Sequence, residues 1–383
     1  MSEESAKYNP EFTSEVKGVV VGEGNIIYNY FYYREEVKPA DPMVDADSEN
    51  LPCPYRGLLH FGPQDAEFFF GRKVFIDELY GATKTRNFIP VLGASGSGKS
   101  SVVLAGLVPR LQQEGHWQFT HFRPEKDPFH NLAQALVPLY TPGLDQTDQI
   151  AQGKKLTVYL KNGEILLADV LGKIQQNNPN QRVLLIADQF EEIYTLVDEE
   201  IRRRFLDCLL DGLETQNSLA VPSTVLVTTM RADFLGNALA YPRFADVLRS
   251  VDIKIRSMNQ EELTEVIVAP AIKLEVRFEA GLVERILRDV ADQPGNLPLL
   301  EFALTELWKQ RTGKQLTHKA YEAIGWVEGA LAKYANEKYD NLSAEEQEQV
   351  RRIFVQLVRP GEGAEDTRRI ARKGELGRKA GIW

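Results

Sequence analysis

The fold is decided by the stretch Gly93-Ala94-Ser95-Gly96-Ser97-Gly98-Lys99-Ser100, which follows an apolar run and precedes a sequence compatible with a helix. It matches the pattern G-x-x-x-x-G-K-S, which is typical of a phosphate-binding loop between a strand and a helix. Glycines allow successive backbone N–H groups to wrap around phosphates, and the start of the helix adds partial positive charge. A loop that only turned a strand into a helix would not need the Lys-Ser pair at this register.

This stretch predicts binding of a nucleoside triphosphate together with magnesium. Lys99 is the candidate that reaches the β and γ phosphates, and the Ser100 hydroxyl is a candidate magnesium ligand. The other loop residues predicted to contact the nucleotide are Gly93, Ala94, Ser95, Gly96, Ser97, Gly98 and Ser101. The predicted cofactors are therefore ATP or ADP and Mg²⁺.

Asp188 ends a second apolar run and is followed by Gln189, Phe190, Glu191 and Glu192. An acid at the end of a neighbouring strand holds magnesium through its water shell, so Asp188 is the second candidate metal ligand. Glu191 or Glu192 would orient the attacking water for hydrolysis. Acidic residues also favour the first turn of a helix, and this purely structural role fits one of the two glutamates. Spacing alone does not distinguish them.

Arg231 ends the next strand-like run. Ligands of parallel α/β sheets lie at the carboxyl ends of the strands, so this guanidinium is a candidate sensor of the γ-phosphate. The alternative is a surface salt bridge to Asp233, and the residues leave both open. The candidate catalytic residues are thus Lys99, Asp188, Glu191, Glu192 and Arg231.

Strand-like apolar runs alternate with helical patterns from Leu51 onward, which predicts an α/β fold with a parallel sheet. The clearest predicted strands are residues 87–93, 117–122, 183–188 and 224–230. Pro90 lies inside the first of them, although a proline lacks the backbone donor that a central strand uses.

Helical periodicity replaces the strand pattern after about residue 255. Apolar stripes mark helices at residues 283–290 and 300–308. A third helix is predicted at 341–358, with an apolar face, and Ser343 and Glu346 form a capping box at its start. A helical part is therefore expected to follow the sheet.

The bulk composition narrows the function classes. The 383 residues carry a formal net charge of −10, so no overall positive field favours nucleic acid as a partner. The N-terminus lacks an apolar signal segment, and no run of about 18 apolar residues predicts a membrane span. Cys53 and Cys208 lie too far apart to indicate a metal site or a disulfide framework. We expect a cytoplasmic protein without a membrane partner.

Further motifs follow one another along the chain. They are Cys53-Pro-Tyr-Arg-Gly-Leu58, Phe69-Phe-Gly-Arg72, Phe122-Arg-Pro124, Asp188-Gln-Phe-Glu-Glu192, Ala269-Pro-Ala271 and Pro294-Gly-Asn-Leu-Pro298. Together with the phosphate-binding loop, they resemble the STAND class of signal-transducing ATPases, and within it the bacterial novel STAND NTPase group, type one. The resemblance covers residues 51 to about 375.

The resemblance implies a division into domains. After a tail and acidic linker at residues 1–50, it implies a P-loop NTPase α/β core at 51–255, a helical lid at 256–315 and a partial winged helix at 316–383. Members of the class usually continue into repeats that sense a ligand, so this chain is expected to end before such a sensor.

Ligand contacts outside the loop are also implied by the resemblance. Gly71 and Arg72 match the segment that passes the adenine and ribose, and Pro298 matches the element that packs on the base. A proline presents a rigid apolar face to a flat ring, and it also suits the first turn of a helix, so both roles are compatible. Gln189 replaces the second acid of the hydrolytic motif in many related ATPases, and slow turnover is therefore expected.

The segment at residues 19–33 is rich in β-branched and aromatic residues around a Gly-x-Gly-Asn turn. It resembles, in outline, the amyloid-type signalling motifs at the N-termini of some bacterial STAND proteins, and it would stack on copies of itself. A β-hairpin docked on the core is the alternative. The first interpretation predicts an effector partner that carries a similar motif.

The preferred interpretation is a nucleotide-driven switch that forms a homo-oligomer when ATP replaces ADP, with a role in bacterial defence or stress signalling. One alternative is a non-catalytic nucleotide-binding interaction protein or an inactive fragment. Another is a remodelling ATPase of the AAA type, which the acidic charge balance disfavours.

Overall fold

A computed structural model describes residues 50–214, 222–248, 253–290, 296–359 and 367–368. The predicted self-association segment at residues 19–33 lies outside these described residues. So do most of the residues after 359, which belong to the predicted winged helix.

Five parallel strands form the central sheet in the order β2-β3-β4-β1-β5. They are β1 (Phe88–Gly93), β2 (Trp117–Phe122), β3 (Arg182–Ala187), β4 (Thr224–Arg231) and β5 (Ile253–Ile255). The four predicted strands are confirmed to within one residue at each end. The fifth has no counterpart among them, because three residues are too few to show a period.

The register of the sheet explains how it accommodates Pro90. Asn87 accepts a hydrogen bond from the Leu226 N–H of β4 at 2.8 Å, and bonding sides alternate along a strand. Pro90 therefore faces away from β4. Pro90 faces the side of β5. The described pairing between β1 and β5 begins one residue later, where Val91 lies opposite Ile253. The missing donor costs no bond to β4.

Helices cover both faces of the sheet, and each face has its own hydrophobic core. One face carries α1 (Lys73–Thr83), α2 (Lys99–Ser101) and α3 (Val108–Gln112), with a π-helical turn (Val102–Leu107) joining α2 to α3. The other packs against α4 (Pro128–Tyr140), α5 (Gln146–Asn162), α6 (Leu167–Asn177), α7 (Glu192–Thr195), α8 (Glu199–Glu214), α9 (Leu235–Leu239) and α10 (Pro242–Leu248). The sheet is therefore buried on both sides, as a parallel sheet requires.

A third core belongs to the helices that follow the sheet. They are α11 (Gln260–Lys273), α12 (Leu282–Val290), α13 (Leu297–Lys309), α14 (His318–Ile324) and α15 (Trp326–Asp340). The predicted stripes on α12 and α13 pack inside this core, with Trp308 only 2 % exposed. The core runs from Tyr55 through Ala330, across the predicted boundary at residues 315 and 316.

Short strand pairs also follow the sheet, so the expectation that strands stop near residue 255 is wrong. β6 (Arg277–Phe278) pairs in parallel with β7 (Gln315–Leu316), and β8 (Val358–Arg359) pairs antiparallel with β9 (Thr367–Arg368). Each strand has only two residues, which is too short for a sequence pattern to reveal.

The last described helix, α16 (Ala344–Leu357), begins with the predicted capping box of Ser343 and Glu346. Its predicted apolar face is not buried among the described residues, and Phe354 is 63 % exposed. Within the described ranges, no helix combines the length and apolar character needed to cross a membrane.

Candidate functional site

The phosphate-binding loop connects β1 to α2 at the carboxyl edge of the sheet. Gly96 and Gly98, with φ of 72° and 86°, lie in the left-handed region that residues with a Cβ rarely adopt. At Gly93, an added Cβ would lie 2.7 Å from the Ser97 hydroxyl oxygen and 2.9 Å from the Ile255 carbonyl oxygen. The backbone of the loop therefore requires glycine at these three positions.

Lys99 is held inside the loop, where its side chain is largely buried. Its ammonium donates to the carbonyl oxygens of Gly93 at 3.0 Å and Ala94 at 2.7 Å. Burial lowers the pKa of Lys99, and the nearby carboxylate of Glu191 opposes this effect. A phosphate in the cleft would gain a charge-assisted hydrogen bond from this ammonium.

Asp188 lies directly after β3 and is fully buried. Its Oδ1 accepts hydrogen bonds from the Ser100 hydroxyl at 2.5 Å and the Thr229 hydroxyl at 2.6 Å. Its Oδ2 lies 3.3 Å from both Nε and one terminal nitrogen of Arg123. The structure thus brings the two predicted magnesium ligands, Ser100 and Asp188, into direct contact.

The pKa of Asp188 is lowered although its burial by itself raises it. Hydrogen bonds from Ser100 and Thr229, together with the positive charge of Arg123, outweigh the burial. The group is therefore a carboxylate at neutral pH, which is the form that binds a metal ion.

Glu191 and Glu192 point to different places. Gln189 adopts a φ of 54°, and its N–H donates to the Thr229 hydroxyl oxygen at 3.0 Å. After this turn, Glu191 lines the cleft, and its Oε2 accepts a hydrogen bond from the Arg231 N–H at 3.2 Å. The Oε2 of Glu192 instead accepts from the Glu125 N–H at 2.9 Å. Glu192 therefore connects α7 to the turn after β2.

Arg231 lines the cleft and also forms the salt bridge that was the alternative to a phosphate sensor. Its Nε lies 3.0 Å from one carboxylate oxygen of Asp233, and a terminal nitrogen lies 2.5 Å from the other. This bidentate pair raises the pKa of Arg231. The guanidinium is accordingly fixed beside the cleft by a partner of its own.

Gly71 and Arg72 lie between the phosphate-binding loop and α11. Gly71 has a φ of 77°, and a Cβ there would lie 2.6 Å from the Glu262 carbonyl oxygen. The buried Arg72 guanidinium donates to the Ser97 carbonyl oxygen at 2.9 Å and lies 3.9 Å from the Glu262 carboxylate. Burial lowers the pKa of Arg72 to about 10. Its Nε and one terminal nitrogen have no hydrogen-bond partner among the residues that the structure describes.

Residues 55–61 connect the helical core to the phosphate-binding loop. The Tyr55 hydroxyl donates to the Ile267 carbonyl oxygen at 2.6 Å, and its ring packs edge-on against Trp308. At the other end, the Phe61 N–H donates to the Ser101 hydroxyl oxygen at 3.1 Å. Residues 57–61 line the cleft between these two anchors.

Helix α13 supplies the opposite wall of the site. Leu297 reaches Gly98, where an added Cβ would lie 3.7 Å from its Cδ2. Pro298 occupies the first turn of the helix and lines the cleft, while its contact with a base stays a prediction. Glu301, 7 % exposed, accepts a hydrogen bond from the Arg56 N–H at 3.2 Å. Burial raises the pKa of Glu301 to about 8.

These elements enclose a cleft of about 410 Å³, a volume within the range of small-molecule sites. Polar groups from the loop and from the ends of β3 and β4 share it with apolar side chains. The apolar lining residues are Leu58, Leu59, Phe61, Phe68, Phe69, Phe70, Met258, Val266, Leu297 and Pro298. Such a lining suits a ligand that carries both phosphates and a flat base.

The residues also fit magnesium. This ion is usually bound by one or two carboxylates and by substrate phosphates rather than by a cage of protein ligands. Asp188 and Ser100 supply a carboxylate and a hydroxyl beside the loop. Within the described part of the chain, no group of three or more His, Cys, Asp or Glu forms a metal site of its own. The donor set is therefore one that a phosphate ligand would complete.

The polar residues of the cleft that sequence reasoning missed include Arg123, Thr229 and Glu301. Arg123 stands in the Phe-Arg-Pro motif, which contributed only to the family resemblance. Threonine is common in strands, so Thr229 gives no separate signal. Glu301 is an acidic residue next to the apolar stripe that begins at Leu300. Because buried acidic residues are rare, its position beside a predicted core was the available signal.

The comparison with protein families gives one finding. The family model described as Novel STAND NTPase 1 matches residues 54–382, which is most of the chain. The match includes the phosphate-binding loop, Asp188 and the helices of the third core. A comparison with curated proteins gives no match.

Several solved structures are similar at low identity. The ORC1 protein of Aeropyrum pernix, in complex with DNA, is 14 % identical with a TM-score of 0.49, over 78 % of this chain and 74 % of that one. A Walker-type ATPase of Pyrococcus abyssi is 12 % identical with a TM-score of 0.45, over 78 % and 79 %. Domain III of the replication initiation protein DnaA of Thermotoga maritima is 13 % identical with a TM-score of 0.41, over 69 % and 92 %. Similarity at this level carries no information about the ligand.

Replacing Glu301 by glutamine is expected to change how stability depends on pH. The pKa of this buried group is raised to about 8, whereas an unfolded glutamate has a pKa of about 4.3, so the folded chain binds the proton more tightly. The contribution of Glu301 to the free energy of unfolding should therefore fall as the pH rises from about 4.5 to about 8. Glu301→Gln lacks this loss, so its melting temperature relative to the wild type should increase over that range.

Thermal unfolding followed by circular dichroism at several pH values measures this difference. Glu284→Gln, a change of an exposed glutamate on α12, is the matched control. A melting-temperature difference between Glu301→Gln and the wild type that stays constant across the range would contradict the expectation.

Proposed function

The chain belongs to the novel STAND NTPase 1 family, and we propose that it is a switch that holds ADP in one form and magnesium with ATP in another. Nucleotide binding itself follows from the family. The observation that carries the proposal is that the cleft takes residues from two separate cores. Lys99 and Ser100 belong to the sheet side, and Leu297 and Pro298 belong to the helical side.

A ligand that contacts both sides can change their arrangement only if it binds one arrangement more tightly than the other. Two pairs of residues join the two sides at the cleft: the Arg72 guanidinium lies 3.9 Å from the Glu262 carboxylate, and Leu297 lies beside Gly98. Residues 55–61 form a third connection. Because all three border the same cleft, a nucleotide bound there would affect each of them.

The proposal includes slow hydrolysis with Glu191 as the base. Glu191 lines the cleft, and the backbone N–H of Arg231 donates a hydrogen bond to Oε2 of its carboxylate. This bond fixes one carboxylate oxygen. The carboxylate of Glu192 accepts a hydrogen bond from the Glu125 N–H, and Glu192 is not among the described residues that line the cleft. This arrangement supports Glu191 over Glu192 for orienting water, while Gln189 beside Asp188 supports low turnover.

The wider role remains a proposal drawn from the family and from the sequence of residues 19–33. In it, exchange of ADP for ATP leads to homo-oligomerisation, and the N-terminal segment passes the signal to an effector with a similar motif. Such a protein would act in bacterial defence or stress signalling. A non-catalytic nucleotide-binding protein and a remodelling ATPase are the alternatives, and the turnover measurement separates all three.

Replacing Lys99 by alanine is expected to abolish the co-purification of ADP and to weaken binding of magnesium with ATP by about tenfold or more, because a charge-assisted contact is lost. Bound nucleotide is released from the purified chain and quantified, and affinities are measured by isothermal titration calorimetry. Lys73→Ala, at an exposed lysine paired with Asp77 outside the cleft, is the control. Wild-type protein that binds neither nucleotide would refute the proposed function.

Replacing Glu191 by glutamine is expected to lower the rate of phosphate release about 100-fold, the contribution of a general base, with little change in ATP affinity. Glu192→Gln should keep the wild-type rate to within about threefold, because Glu192 is not among the described residues that line the cleft. Steady-state phosphate release measures both variants. Rapid turnover by the wild type would favour the remodelling ATPase, and no turnover would favour the non-catalytic alternative.

A further inference from the structure

Among the described residues that line the cleft, Arg123 is the one that forms an ion pair with the predicted magnesium ligand Asp188. We propose that Arg123 reads the terminal phosphate of the bound nucleotide and thereby sets the preference for a triphosphate over a diphosphate. The inference rests on the proposed function and adds a residue that determines which nucleotide state is recognised.

The sheet places Arg123 at the site. Phe122, the last residue of β2, lies opposite Ala187, the last residue of β3, so the residues that follow these strands are neighbours. The Asn131 side-chain amide of α4 donates to the carbonyl oxygens of Arg123 at 3.0 Å and Pro124 at 3.1 Å. The backbone of Arg123 is therefore anchored, while its long side chain extends along the carboxyl edge of the sheet.

The guanidinium is available to a ligand. Arg123 lines the cleft, and its side chain is 35 % exposed. Nε and one terminal nitrogen contact Asp188, which leaves the other terminal nitrogen without a hydrogen-bond partner among the described residues, although the charge of Arg123 also interacts with that of Glu192. A planar guanidinium with free donors binds two phosphate oxygens at once. A diphosphate ends one phosphate group earlier, so it would not place phosphate oxygens at this position.

Arg231, the sensor predicted from the sequence, is held differently. Its Nε and one terminal nitrogen engage the carboxylate of Asp233, which is not one of the predicted magnesium ligands. Arg123 has Asp188 as its acidic partner, and the Oδ1 of Asp188 already accepts two hydrogen bonds. A magnesium ion bound at Asp188 would compete with Arg123 for the negative charge of this carboxylate. Asp188 would then hold the guanidinium less strongly. Arg123 is thus the guanidinium that a nucleotide with its metal would release.

Asp188 would keep other partners when Arg123 turns to a phosphate. Ser100 and Thr229 remain bonded to Oδ1, and His121 Nε2 lies 4.0 Å from Oδ2. The buried carboxylate would therefore not be left without hydrogen bonds, which would be costly.

The test compares Arg123→Gln with Arg231→Gln in the full chain. Binding of a non-hydrolysable ATP analogue with magnesium, and of ADP with magnesium, is measured by isothermal titration calorimetry. Arg123→Gln is expected to weaken binding of the ATP analogue by about 10- to 100-fold, because this is the loss in affinity that follows from removing hydrogen bonds to a charged group. Binding of ADP is expected to weaken by less than about threefold. Arg231→Gln is expected to keep the wild-type ratio of the two affinities.

An equal loss of both affinities in Arg123→Gln would show that Arg123 only supports Asp188, and this would overturn the inference. Loss of the ratio in Arg231→Gln alone would overturn it as well. Arg123→Lys keeps the charge beside Asp188 and decides the question if the glutamine variant does not fold. An ammonium cannot form the paired bonds of a guanidinium, so the analogue affinity should fall several-fold with ADP binding unchanged. An unchanged ratio would overturn the inference.

Failure of this inference is distinguishable from failure of the proposed function. Wild-type protein that binds neither ligand would overturn both. Wild-type protein that binds both ligands, with the same affinity ratio in Arg123→Gln, would overturn the role of Arg123 alone.

Discussion

The buried carboxylate of Asp188 is the interaction on which the rest of the site depends. A buried charge is tolerated only when it is paired and hydrogen-bonded. Its partners come from three places: Ser100 from the phosphate-binding loop, Thr229 from β4 and Arg123 from the end of β2. Satisfying one carboxylate therefore fixes the loop against the carboxyl ends of β2, β3 and β4, and it places a metal ligand beside the phosphate position.

The other half of the cleft depends on a core that is separate from the sheet. The helical core positions α13, whose first turn places Leu297 beside Gly98 of the loop. Tyr55 anchors residues 55–61 in that core, and Phe61 anchors them at Ser101. A ligand that contacts both cores stabilises the arrangement of the cores to which it binds more tightly. This difference in affinity is the physical basis of a switch.

The sequence predicted what local patterns encode. Four strands, the loop and the capping box of Ser343 were confirmed because period, glycine placement and caps are local properties. The orientations of Glu191 and Glu192 stayed open, because they follow from the left-handed turn at Gln189 and its bond to Thr229, forty residues away. Glu301 was missed for a related reason, since packing of the helical core brings it to the cleft. Arg123 directly follows the predicted strand at residues 117–122, and this position was an available signal.

The central claim is that one nucleotide contacts both cores, and amide hydrogen exchange measured by mass spectrometry tests it most directly. The account predicts that magnesium with a non-hydrolysable ATP analogue slows exchange in residues 57–61, 94–101 and 297–301 over the same concentration range, because these segments border one cleft. Protection confined to residues 94–101 would contradict it, since the ligand would then contact the sheet side alone.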